Sequence, residues 1–108
     1  MIYLSTGLLK KKSTSSIVNI LDNLKITNLE LSSGPYERNI NSFLTKKKNE
    51  KKLNFLIHNY FPVPKNAFVL NLASNQKKIR NLSIRLAKNA IRLSGTLGAK
   101  FYSFHAGF

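Results

Sequence analysis

The sequence predicts an α/β protein on a parallel sheet, and three observations carry that prediction. Four short runs of strand character alternate with three stretches of helical period, and such alternation argues for parallel strands joined by crossover helices. The first strand run is not followed by a glycine-rich phosphate loop, which lowers the nucleotide-binding open sheet relative to a closed (β/α)8 barrel. Polar groups also collect at the carboxyl ends of the strand runs, where a barrel places its active site: Glu30 and Ser32, His58 and Asn59, then His105.

Each element has its own signal. MIYLST opens the chain as a short apolar strand over residues 1–5. STSSIVNILDNLK follows as a helix, with Ile17, Ile20, Leu21 and Leu24 at helical spacing behind serines suited to capping. ITNLELSS alternates as a strand over 27–32 and ends in the turn signal SGPYE, with Gly34 and Pro35. NINSFLTKKKNEKK predicts a short helix with Ile40, Phe43 and Leu44 on one side. LNFLIHNYF is the third strand, over 53–59, stopped by Pro62 and Pro64. The connection PVPKNAFVLNLASN is apolar enough to lie against the body. The strongest helix spans Gln76 to Leu97, with Ile79, Leu82, Leu86, Ala90, Leu93 and Leu97 in one stripe. Ser74 or Asn75 is expected to cap its start, and Gly95 or Gly98 to end it. AKFYSFH is the fourth strand, over 100–105. Each strand is expected to neighbour the next, with the helices on one face only.

The composition bounds the function. A chain of 108 residues makes about one domain, residues 1–108, and 43% hydrophobic residues is a globular proportion. The absence of cysteine excludes disulfides and thiolate-held metals. The lysines of MIYLSTGLLKKK follow the apolar run, the reverse of a secretory signal. No stretch approaches the roughly 18 apolar residues of a membrane span. The sequence is thus expected in the cytoplasm, with no membrane partner. The formal net charge of +14 raises nucleic-acid binding as one reading. Its basic runs, Lys10-Lys11-Lys12 and Lys46 to Lys52, lack interleaved aromatics and read first as solvated lysine faces.

The chain has two histidines, His58 and His105, at the ends of consecutive strand runs. Neighbouring parallel strands lie about 4.8 Å apart, so two imidazoles in register can point at one ion. Neutral imidazole suits zinc and several other transition metals. The plainer alternative is a semi-buried histidine with a local hydrogen-bond partner. Two ligands fall short of the roughly four a closed site needs.

FLIHNYF, then VLNLAS, then the long helix, then LGAKFYSFHAGF resembles the xylose-isomerase-like barrel superfamily. This group includes sugar phosphate isomerases/epimerases and the endonuclease IV type of AP endonuclease. In that family the third strand ends in a histidine, and the fourth in a histidine followed by Pro-Gly or a near variant. Here the motif is His105-Ala106-Gly107, with alanine in place of proline. NLELSSGPYE is similar to the family's second strand. The resemblance covers essentially the whole chain and implies the first four βα units of a (β/α)8 TIM barrel, cut after strand four.

The resemblance further implies that His58 and His105 are ligands to a divalent metal, zinc or manganese/magnesium. The substrate would be a small sugar or sugar phosphate, and the chain alone would be inactive. Glu30 is the one acidic residue predicted at a strand's carboxyl end and the candidate for proton transfer. Asn59 and Tyr60 are candidate substrate contacts, and Phe61 and Phe108 candidate apolar walls. Two alternatives stand beside the isomerase/epimerase: a fragment of an endonuclease IV-type enzyme, and a non-enzymatic basic nucleic-acid-binding protein. A half barrel leaves sheet edges open, so a second half-barrel chain or self-association is an expected partner.

Overall fold

The computed structural model describes residues 1–9, 11–50 and 52–106. Lys10 and Lys51 of the two basic runs, Gly107 of the His-Ala-Gly motif and Phe108 lie outside the described residues. Strand β1 (Leu4–Ser5) runs into a 3-10 turn over Thr6–Leu9. Helix α1 (Thr14–Asn23), β2 (Asn28–Ser32), α2 (Ile40–Glu50), β3 (Asn54–His58), α3 (Lys77–Leu97) and β4 (Tyr102–Ser103) follow. The four strands form one sheet in the order β1-β2-β3-β4, and every pair is parallel. The chain is therefore α/β, with a four-stranded parallel sheet and three helices.

Strand order explains where the helices go. Right-handed crossovers between strands laid down in sequence put every helix on the same side. The alternation within the strands agrees. Leu29 and Leu31 of β2 and Phe55 and Ile57 of β3 are buried. They share one core with Ile17, Val18 and Leu21 of α1, Ile40 and Leu44 of α2, and Ala90, Leu93 and Leu97 of α3. The side chains between them, Asn28, Glu30, Ser32, Leu56 and His58, face the other way and stay partly uncovered. No strand residue is lysine or arginine, so the cationic excess lies on the helices and connections.

Helix ends follow from local chemistry. Ser13 caps α1, its hydroxyl accepting from the Ser16 N–H at 3.3 Å. Glu37, from the turn after β2, accepts from the Ser15 N–H at 3.1 Å and from the Ser15 hydroxyl. One of the four acidic side chains thus serves the start of α1. The helix closes with the N–H of Lys25 on the Asp22 carbonyl and that of Ile26 on Leu21, with Lys25 at φ 63°. This is the paired bonding of a Schellman close, carried by a lysine where glycine is usual. Leu24, expected on the buried stripe, sits at this cap and is 64% exposed, and Val18 takes its place in the core.

Helix α3 begins at Lys77 without a side-chain cap. The Ser74 hydroxyl instead accepts from the Gln76 N–H, and the Ser74 carbonyl accepts from the Arg80 guanidinium. Gly98, at φ 64°, ends the helix as expected. Buried Ser83 donates to the Ile79 carbonyl at 2.8 Å and accepts from the Asn71 N–H at 2.9 Å. That bond fastens the 62–76 connection to α3, and Leu70 is buried beneath it.

The outer strands are shorter than expected. β1 is Leu4–Ser5, and Met1 and Ile2 are exposed. β4 is Tyr102–Ser103, and Phe101 and Phe104 are exposed. Edge strands have a partner on one side only, so residues beyond the paired segment gain little from extended geometry. Phe61, expected as a pocket wall, is 1% exposed within the core. Among the described residues, no helix is long and apolar enough to cross a membrane.

Candidate functional site

Register sets the site. Ser5 lies opposite Glu30, and Glu30 opposite Leu56. Two residues further along, Ser32 lies opposite His58, and His58 opposite Ser103. The uncovered face therefore carries a row of Ser32, His58 and Ser103 at the carboxyl end of the sheet. His105 lies just past the end of β4.

The two histidines meet there. Their ring centroids are 6.2 Å apart and the rings are nearly perpendicular, at 87°. Two imidazoles sharing one zinc, each at about 2.1 Å from nitrogen to metal, place their centroids roughly 5 to 6.5 Å apart. The separation is thus within the reach of a shared ion.

Both histidines are held by neighbours. His58 Nδ1 lies 2.9 Å from the Ser103 hydroxyl. In the tautomer with Nδ1 protonated, that N–H donates to Ser103 and Nε2 keeps its lone pair outward, the arrangement typical of a metal-binding imidazole. The His105 backbone N–H donates to Asn59 Oδ1 at 3.3 Å. The next carbonyl, of Ala106, accepts from the Leu72 N–H at 2.9 Å. The VLNLAS connection and the end of β3 thus both fix the segment carrying His105.

Asn59 is the hinge between the strand ends. It adopts φ 46°, in the left-handed region that asparagine tolerates better than most residues. Its N–H donates to the Ser103 carbonyl at 2.6 Å, and its own carbonyl accepts from the Tyr102 hydroxyl at 3.3 Å. Burial raises the Tyr102 phenol above its ordinary value, which keeps it a donor over the neutral range.

The other predicted residues sit differently. Tyr60 accepts from the Phe68 N–H at 2.8 Å and packs edge-on against the Phe68 ring, 5.5 Å between centroids. Its hydroxyl anchors the connection after β3. Glu30 is on the same face as His58, half-buried, one strand over and two residues lower. Strand geometry separates their backbones by about 8 Å. Glu30 makes no ion pair among the described residues, where the acidic partners are Asp22 and Glu50. No group of three or more His, Asp or Glu side chains gathers to hold a metal among the described residues.

Sequence reasoning missed Ser103 as the partner of His58, and it placed Asn59 beside the pocket without its hinge role. Serine in a strand carries no distinctive signal, and its pairing with His58 depends on the β3–β4 register.

Comparison with protein-family models, with curated proteins and with solved structures finds no match for this chain. The family expectation rests on the sequence motifs around His58 and His105.

Proposed function

We propose that this chain forms the first four βα units of a (β/α)8 barrel enzyme, a metal-dependent isomerase or epimerase acting on a small sugar or sugar phosphate. The observation that carries the proposal is the His58–His105 pair, 6.2 Å apart at the carboxyl end of a parallel sheet, on the face its helices leave uncovered. In a barrel that face is the interior and that end is the catalytic one. Four parallel strands in sequence order, with all helices outside, fit half of such a barrel.

The donor set fits one half of a metal site. His58 and His105 would supply two nitrogen ligands to a divalent zinc, manganese or magnesium ion, and the remaining ligands would come from outside these residues. Such an ion supplies Lewis-acid polarisation of a sugar carbonyl or hydroxyl oxygen. The chain's own residues then have distinct tasks. Ser103 orients His58 and, by accepting from an Nδ1–H, would favour the tautomer that leaves Nε2 to the metal. Asn59 and Leu72 hold the backbone on either side of the His105 side chain. Glu30 presents a carboxylate toward the interior, placed to hold or move a proton on bound sugar. One carboxylate cannot serve both faces of a substrate, so the residues present do not complete the reaction.

Calorimetry with zinc and manganese tests the reading. The expected result is weak binding at one ion per chain, lost in both His58→Ala and His105→Ala, with no sugar turnover by the 108 residues alone. Binding that survives both substitutions would overturn the assignment.

A further inference from the structure

The helical side of the molecule carries a second feature, independent of the histidine site. A cleft of about 420 Å³ opens where the β2–α2 turn and the 62–68 connection meet α3. Two further depressions adjoin it along α3, and Asn89 lines all three. Together the three make a grooved tract along α3. From Arg85 to Thr96 it follows α3 for roughly 16 Å, the length of eleven helical residues.

Its charge is one-sided. Arg38, Lys65 and Arg85 line the cleft, Lys88 lines one depression, and Arg92 lines both. The one acidic side chain in the cleft, Glu37, is engaged by the N–H and hydroxyl of Ser15. Asp22 and Glu50 pair with Lys47 and Lys46, and Glu30 is on the uncovered face of the sheet. No carboxylate pairs with these five cations among the described residues. Helix α3 itself, Lys77–Leu97, contains six lysines and arginines and no acidic residue. Amides of Asn39, Asn41 and Asn89 lie between the cations, and the Tyr36 ring, 46% exposed, stands at the cleft.

We infer that this groove binds single-stranded nucleic acid through its phosphate backbone. Unpaired cations spaced along a track match a chain of phosphates, amides can donate to phosphate or base oxygens, and an exposed aromatic ring gives a base a stacking surface. An anionic membrane fits less well. An interfacial helix needs a free apolar face, and the stripe of α3 formed by Leu86, Ala90, Leu93 and Leu97 is buried in the protein.

The test is fluorescence anisotropy with a labelled dodecathymidylate over 50 to 200 mM KCl. With about four phosphates neutralised, log K should fall against log [KCl] with a slope of about −3. Replacing four of the five groove cations (Arg38→Gln, Lys65→Gln, Arg85→Gln, Arg92→Gln) should weaken binding at least about 30-fold at 50 mM KCl and flatten that slope. A control removes the same charge elsewhere: Lys11→Gln, Lys12→Gln, Lys52→Gln, Lys100→Gln. It should stay within about threefold of the parent. Tyr36→Ala should weaken binding about tenfold with the slope unchanged. Circular dichroism confirms the fold of each variant. Equal losses in the two charge variants would overturn the groove, since bulk charge would then explain binding. Thymidine monophosphate binding as tightly as the oligonucleotide, polyglutamate competing equally well, or no binding at 50 mM KCl would each overturn the nucleic-acid assignment.

Discussion

Asn59 and His105 are joined across the ends of β3 and β4, the Asn59 side-chain oxygen accepting the His105 N–H at 3.3 Å. The bond ties the last residues of one strand to the turn that carries His105 after the next. Because Asn59 is also at φ 46°, two substitutions separate its roles. Asn59→Gly keeps the backbone conformation at little cost and deletes the side-chain bond. It should loosen His105, seen as faster hydrogen exchange at the His105 amide, while lowering stability by about 1 kcal/mol. Asn59→Ala deletes the same bond and adds left-handed strain, and should cost about 1 kcal/mol more in urea unfolding.

Ser103 is exposed and contributes little to the core, so its loss should be local. Ser103→Ala removes the partner of His58 Nδ1. The imidazole nitrogen shifts should then move away from the Nδ1-protonated tautomer, and zinc affinity should fall about tenfold or more. Ser103→Thr, which restores the hydroxyl, should recover both. Unchanged nitrogen shifts in the alanine variant would show that the serine does not set the tautomer.

Lys25 offers a test of the fold. Its positive φ closes α1 at a position where glycine carries no Cβ penalty. Lys25→Gly should raise stability by about 1 kcal/mol, seen as a Tm higher by about 4 °C or more. Lys25→Ala, which keeps a Cβ, should give no gain.

Much of this architecture was legible in the sequence. The parallel pairing follows from alternating periods and the handedness of crossovers, and the strand order and one-sided helix layer from preferring a barrel to an open doubly wound sheet. The core stripe of α3 was readable from Leu86 to Leu97 for the same reason. The lengths of β1 and β4 were not, because Ile2 and Phe104 are apolar in sequence yet have no packed layer to enter. Leu24 misled because α1 ends on a lysine, which gives no stop signal. In the site, His58 and His105 were legible by their place at strand ends. Tyr60 was not, since adjacency to His58 says nothing of a hydroxyl turned toward the Phe68 amide. Ser103 and Asn59 act through bonds between strands, and those depend on a register that pattern alone leaves open.

If His58 and His105 share one ion, zinc acts on both rings at once. The chain holds two histidines, so their imidazole NMR signals can be followed without ambiguity during zinc titration. Both sets of ring signals should shift with the same midpoint and saturate at one zinc per chain, and His58→Ala should abolish the response of His105. Two separate midpoints, or a His105 response that persists in the His58→Ala protein, would contradict it.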